Sequence, residues 1–255
     1  MAAQLNQAVC IVTGGSLGIG WAICQLFAEK GYRVVNLDIQ APEADINVQH
    51  SNIEWFYCDV AQVTQVHSAI ASVLVKYPKV DCLISNAGVH LSANIEQTSE
   101  EELDRMFAIN VKGAYAAIQA VLPNMVSHQA GSVILMASDQ ALIAKHNSFA
   151  YNLTKSALAS MAKTTALDYA KHNIRANAVC PGTIETPLYH NAIDKYLAQS
   201  GRDATEVHAE EAALQPLGRL GQPDEVAQLC YFLASENAQF ITGSLQVIDG
   251  GYTAQ

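Results

Sequence analysis

A short apolar run, AVCIVT (8–13), passes through the glycine-rich stretch VTGGSLGIG (12–20) directly into a helical pattern, GIGWAICQLFAEKG (18–31). Few folds accommodate that succession. Glycines let the chain turn sharply out of a strand and let its backbone come close to a bound group. The helix that follows presents free N–H groups and a partial positive charge at its start, which suits a phosphate. The spacing is Gly14-x-x-x-Gly18-x-Gly20 instead of the commoner G-x-G-x-x-G, so the turn gains meaning only from its position between strand and helix. Gly31 closes the helix as a C-cap residue.

The rhythm repeats along the chain. RVVNLD (33–38), IEWFYCDV (53–60), DCLISN (81–86), GSVILMAS (131–138), IRANAVCP (174–181) and SLQVID (244–249) read as six further strands. Their apolar runs are nearly continuous, as expected of strands buried on both faces. Helical patterns separate most of them, at roughly 62–76, 100–127, 150–171 and 223–234. Such alternation predicts an α/β fold: a doubly wound, parallel seven-stranded sheet with helices on both faces. No internal repeat or Pro/Gly/Ser linker divides the chain, so residues 1–255 are expected to form a single domain. One segment breaks the rhythm. Residues 183–222 are long, mixed and charged, framed by Pro187, Gly218 and Gly221, and they are expected to form a substrate-binding lid.

Charge and cysteine content narrow the function. The formal net charge is −10, and the fourteen Lys and Arg residues form no cluster. Nucleic acid and an anionic membrane are therefore excluded as expected partners. Six cysteines (Cys10, Cys24, Cys58, Cys82, Cys180, Cys230) are scattered without a C-x-x-C pair, and several sit in apolar runs. They read as reduced, buried thiols, and no metal site is expected. The N-terminal MAAQLNQ lacks the basic and apolar regions of a secretory signal, and no apolar stretch approaches membrane-spanning length. A soluble, cytoplasmic protein is the expectation.

The second strand ends at Asp38, eighteen residues after Gly20. An acid there can accept both hydroxyls of an adenosine ribose and would repel a 2′-phosphate. Leu17, Ile39 and Gln40 add no cation for such a phosphate. NAD is therefore the expected cofactor, in preference to NADP.

Further motifs then arrive in order: CDV (58–60), SNAG (85–88), IN (109–110), Ser138, YNLTK (151–155), PGTIETP (181–187), GRLGQPDEVA (218–227) and ITGSLQVIDGGY (241–252). Together with TGGSLGIG they resemble the classical short-chain dehydrogenase/reductase family, from about residue 8 to the end of the chain. The resemblance implies a Rossmann-type dehydrogenase that transfers hydride between a nicotinamide and a secondary alcohol or ketone. By position it implies that Thr13, Gly14, Gly18 and Gly20 form the coenzyme turn, with Ser16, Leu17 and Ile19 close to the pyrophosphate. Asp59 and Val60 would meet the adenine; Asn86, Ala87 and Gly88 would pass beneath the adenosine ribose. Pro181, Gly182, Ile184 and Thr186 would seat the nicotinamide carboxamide. Asn110, Ser138, Tyr151 and Lys155 would be the catalytic tetrad. Ser85 departs from the family pattern, which usually has asparagine there.

The chemistry of these residue types agrees. A free tyrosine hydroxyl titrates near pH 10 and is a poor base at neutral pH. Lys155, four positions after Tyr151, lies on the same helix face. Its ammonium, with the oxidised nicotinamide, is expected to favour the phenolate. Tyr151 would then exchange a proton with the substrate oxygen. Ser138 closes the fifth strand, where it could stabilise that oxygen. Lys155 would also bond the nicotinamide ribose, and Asn110 would hold a water that relays protons from Lys155 to solvent.

For the substrate, position singles out His90, Gln140, His146 and His190, with Leu188 and Tyr189 of the expected lid. These polar groups point away from a steroid or long acyl chain and towards a small polar cyclic, polyol or sugar-like secondary alcohol. A 3-oxoacyl-carrier reductase is the rival reading, although Asp38 disfavours its usual NADP. A dinucleotide-binding sensor or scaffold with little turnover is the second. Two long helices (100–127 and 150–171) are rich in apolar and small residues, and the family resemblance implies that they pair in a homotetramer.

Overall fold

The computed structural model of the protein describes residues 7–43 and 51–255. Residues 1–6, which carry most of the segment tested for a secretory signal, lie outside the described residues.

Among these residues, β1 (Val9–Thr13), β2 (Arg33–Asp38), β3 (Ile53–Tyr57), β4 (Cys82–Ser85), β5 (Gly131–Met136), β6 (Ile174–Pro181) and β7 (Leu245–Ile248) form one sheet in the order β3-β2-β1-β4-β5-β6-β7. Every pairing is parallel. The chain winds outward from β1 in one direction, then restarts at β4 on its other side. That switch point opens a crevice at the C-terminal ends of β1 and β4, the place where such sheets bind ligands.

Strand residues alternate between two apolar layers. Ile11, Val35, Leu83, Val133 and Ala178 face one layer, covered by α2 (Val63–Lys76), α4 (Gly113–His128) and α5 (Phe149–Tyr169). Cys10, Val12, Val34, Ile84 and Ile134 face the other, covered by α1 (Gly18–Glu29) and α8 (Pro223–Ala234). Both faces are thus dry, which accounts for the nearly continuous apolar runs in the sequence. All six cysteines are buried free thiols in these layers. No helix among the described residues is long and apolar enough to cross a membrane.

The helix expected over 100–127 is interrupted. α3 (Glu100–Phe107) starts on a capping box between Ser99 and Glu102, and a single π turn, Ala108–Lys112, separates it from α4. The π turn carries Asn110, whose inward side chain bonds the chain beyond β4. Single widened turns of this kind commonly mark functional positions. The 183–222 segment also proves more regular than its mixed composition suggests. It contains α6 (Pro187–Ser200) and α7 (Ala204–Leu214), held together by Tyr189, Ile193 and Val207 and by a 2.6 Å bond between the Tyr189 hydroxyl and His208 Nδ1. Its two ends meet. Glu185 N–H donates to the Gly221 carbonyl at 2.9 Å, and Gly221 N–H donates to that of Thr183 at 3.0 Å. The two ends of the excursion are thus joined to each other, and its last part is also tied to the C-terminal segment, where Leu217 N–H donates to the Gly250 carbonyl at 3.1 Å.

Candidate functional site

The glycine turn is stitched to the end of β4. Thr13 Oγ1 accepts the N–H groups of Asn86 (3.1 Å) and Ala87 (3.2 Å), and Asn86 Nδ2 donates to the Gly14 carbonyl at 2.8 Å. This packing leaves no space for side chains. A Cβ on Gly14, whose φ is +65°, would stand 2.7 Å from Ala87 Cα, and one on Gly20 would stand 2.0 Å from the Gly14 carbonyl oxygen. α1 begins after an extended Leu17 with no side-chain cap. Its first-turn N–H groups have no partners within the helix.

Asp38 overhangs the same turn. Its carboxylate accepts Ser16 N–H at 3.0 Å and Gln40 N–H at 3.2 Å. Beneath it, the fully buried Asn36 accepts Gly15 N–H at 3.0 Å and donates to Ser16 Oγ at 2.9 Å. Sequence reasoning passed over Asn36; a lone polar residue inside RVVNLD was the available signal. Next to Asp38, Asp59 accepts Ala61 N–H at 3.0 Å, and Val60 is buried against Gly113. A backbone cleared of Cβ atoms, uncapped N–H groups, a strand-end carboxylate and uncharged neighbours at Leu17, Ile39 and Gln40 fit the adenosine and pyrophosphate end of a nicotinamide dinucleotide.

Beyond the turn lies a cavity of about 950 Å³, lined by residues from Ile19, Asn86 and Gly88 on one side to Pro181, Gly182, Ile184 and Thr186 on the other. Gly182 sits where a Cβ would come within 2.9 Å of Asp249, and Thr186 caps α6 by accepting Tyr189 N–H at 3.3 Å. Ser138, Tyr151 and Lys155 form its inner wall. Lys155 is 5% exposed, and its ammonium donates to the Met136 carbonyl at 2.8 Å. Burial pushes its pKa down to about 8. That one bond leaves two ammonium hydrogens for a ligand.

Tyr151 stands beside Ser138 on this wall. Burial pushes its phenol well above the ordinary tyrosine range; a hydrogen bond with Ser138 works against this, and the negative charge of Asp139 adds to it. Lys155 Nζ stands 5.3 Å from the Tyr151 ring centre with its bond directed to Met136. In the free chain desolvation holds the phenol above its ordinary range; the oxidised nicotinamide, when bound, would supply the positive charge that with Lys155 favours the phenolate. His90 sets its ring edge-on to Tyr151, 4.8 Å between centres at 70°. Burial, then Lys145, Lys155 and Lys195, hold the His90 imidazole below its usual pKa, favouring the neutral ring.

The other predicted residues divide. Gln140 and His146 line the cavity, as does His90. Gln140 is 8% exposed, and its Oε1 is buried without a hydrogen-bond partner. His190 is not among the lining residues; it meets the Tyr189 and His208 rings edge-on and approaches Glu185 at 4.0 Å. It belongs to the packing of the excursion. Asn110 is 1% exposed and also stands behind the wall. Its Oδ1 accepts Val89 N–H at 2.8 Å, and its Nδ2 donates to the Val89 carbonyl and to Thr154 Oγ1, each at 3.0 Å. Both amide hydrogens are therefore spent on fixing Val89 against α5. Asp139 and Lys145, which the sequence did not single out as reactive, also line the cavity.

Comparison with known proteins adds a second line of support. Residues 14–253 match the family model described as enoyl-(acyl carrier protein) reductase. The chain is 36% identical to an NAD-dependent glycerol dehydrogenase of Listeria innocua, over 98% of this chain and 95% of that one. It is 34% identical to a 3-oxoacyl-[acyl-carrier-protein] reductase of Thermotoga maritima, over 97% and 98%. Among solved structures it is similar to a short chain dehydrogenase family protein from Francisella tularensis, with a TM-score of 0.90, 37% identity, and coverage of 98% of this chain and 100% of the other.

Proposed function

Because the chain belongs to the short-chain dehydrogenase/reductase family, whose members oxidise alcohols and reduce ketones, we propose that it is an NAD-dependent dehydrogenase of a small polar secondary alcohol. The observation that carries this reading is the convergence of Ser138, Tyr151 and Lys155 on one polar cavity beside the glycine turn. Thr13, Gly14, Ser16, Leu17, Gly18, Ile19 and Gly20 hold the pyrophosphate, Asp38 the adenosine ribose, and Asp59 and Val60 the adenine. Asn86, Ala87 and Gly88 support that ribose from below. Pro181, Gly182, Ile184 and Thr186 hold the nicotinamide. When bound, the nicotinamide supplies the two-electron acceptor or donor and, in its oxidised form, a positive ring.

The residues of the chain move the proton. Tyr151 takes it from the substrate hydroxyl in oxidation and returns it in reduction. Ser138 bonds the substrate oxygen and steadies its developing charge. Lys155 offers its two spare N–H donors to the nicotinamide ribose and to the proton path. Asn110 fixes the floor of the site through Val89 and Thr154 and would hold the water that links Lys155 to solvent.

A polar substrate is supported by the orphan carbonyl of Gln140, with His90 and His146 on the same cavity. A buried acceptor without a partner costs about 1–3 kcal/mol, which a substrate hydroxyl would recover. A polyol, sugar-like or cyclic alcohol meets that need, and glycerol, the substrate named for the Listeria relative, is a polyol. The rival reading, a 3-oxoacyl-carrier reductase, is favoured by the Thermotoga relative and opposed by Asp38. Residues 183–222 serve as the lid, joined to the body at Thr183–Gly221 and along the C-terminal segment. The active form is a cytoplasmic homotetramer.

The test is reduction of NAD and NADP over a panel of polyols, aldoses, cyclic alcohols and hydroxy acids. Turnover of a polyhydroxylated member with NAD supports the proposal. NADPH-dependent reduction of a 3-oxoacyl thioester alone would replace it with the rival. Tight dinucleotide binding with no turnover on any member would favour a sensor.

A further inference from the structure

We propose that Asp139 and Lys145 are a positioning pair that orients the Ser138 hydroxyl and sets the charge felt by Tyr151. The inference rests on the proton-transfer role proposed for Tyr151. Ser138 Oγ donates to Asp139 Oδ1 at 2.7 Å and accepts Gln140 N–H at 3.2 Å. With the bond shared with Tyr151, these contacts engage the hydroxyl before any substrate arrives. Its hydrogen, held on Asp139, turns to the substrate oxygen as negative charge develops there.

Asp139 is 1% exposed, directly behind the reacting group. A carboxylate so placed is tolerated only with a cation beside it. Lys145 supplies one: its Nζ lies 2.8 Å from Asp139 Oδ2, which accepts no aligned hydrogen bond. Lys145 is itself held 4.4 Å from the centre of the Tyr252 ring, in the C-terminal segment. A line of contacts thus runs from Tyr252 through Lys145 and Asp139 to Ser138.

The charge of the pair matters because Asp139 acts against the phenolate of Tyr151. The other titratable groups around this centre are Lys155 on α5, His90 beyond β4 and Cys180 on β6, with Lys195 on α6 acting on His90. None of them touches Asp139 as Lys145 does. Lys145 is therefore the shield that lets Tyr151 face a buried carboxylate and still release its proton.

The experiment is the pH profile of alcohol oxidation at saturating cofactor, with thermal unfolding measured in parallel. Lys145→Met exposes Tyr151 to the unshielded carboxylate, so the pH of half-maximal rate rises by about one unit. Asp139→Asn removes the charge, so it falls by about the same amount. Lys145→Arg restores the wild-type profile. In the Asp139→Asn background, Lys145→Met loses most of its upward shift. A Lys145→Met profile superimposed on wild type, with only the unfolding temperature lowered, would make the pair purely structural and overturn the proposal. So would a Lys145→Met shift that persists in full without Asp139. If wild-type oxidation proves independent of Tyr151, it is the underlying proton-transfer reading that has failed.

Discussion

The inner wall of the cavity and the 183–222 excursion face the same space but are built differently. Ser138 and Lys155 are almost wholly buried, rest on β5 and α5, and hydrogen-bond to their surroundings. The excursion stands on a three-residue apolar centre of Tyr189, Ile193 and Val207, and Leu188, Tyr196 and Leu214 are left exposed. A reacting group must be held closely to act, so it is seated on the packed sheet. A surface that admits, encloses and releases substrate belongs on a part that opens at low cost. The difference suggests that reaction type and substrate choice are carried by separate parts of the chain.

The comparison can be broken from either side. Asp38 belongs to the rigid side, and its loss should change cofactor choice without touching the substrate. Asp38→Ala is expected to shift the ratio of kcat/KM for NAD over NADP by about 100-fold, the loss of a charged acceptor plus relief of repulsion, while KM for the alcohol stays constant. An unchanged ratio would remove Asp38 from cofactor selection. Ile193→Asp opens the centre of the excursion. It is expected to raise KM for the alcohol about tenfold and speed proteolytic cutting between residues 187 and 214, with the main thermal transition little moved. Loss of the whole fold at lower temperature would show that the excursion is part of the core.

The smallest effect concerns stability. Lys155 is charged at a cost, since its folded pKa of about 8 lies below its ordinary 10.5. Below pH 8 the ammonium is carried in both folded and unfolded states, and the penalty, at most about 3 kcal/mol, is present in full. Between pH 8 and 10.5 it fades, because the folded state has already released the proton. Lys155→Met should therefore be inactive yet more stable than wild type at pH 7, and its advantage should shrink towards pH 10.5. A variant less stable at every pH would mean that the bond to Met136 outweighs the cost of burial.

Legibility in the sequence follows the same division. The seven strands and the paired apolar layers were readable because burial on both faces writes itself as uninterrupted runs such as VCIVT and GSVILM. Tyr151 and Lys155 share a helix face four residues apart, but that spacing alone marks nothing; the ordered motifs from TGGSLGIG to PGTIETP gave the pair its meaning. The π turn at Asn110 was not, since it depends on a bond to the distant Val89 backbone. The burial that raises the Tyr151 phenol in the free chain was also hidden, because it depends on surroundings set by the fold. His190 looked like a ligand beside the cavity, but helix phase turned it towards Glu185 and His208. The pairing of Asp139 with Lys145 spans six residues of irregular loop, where no periodicity exists to reveal it.

The most direct measurement is formation of reduced nicotinamide by wild type and Tyr151→Phe, side by side on the best alcohol from the panel, with NAD binding titrated for both. Wild type is expected to turn over with a kcat at least about 1,000-fold above that of the variant, while the two bind NAD equally well and unfold at similar temperatures. Equal turnover by the two proteins would contradict the assignment of Tyr151 as the proton-transfer group, and with it the reading of the whole inner wall.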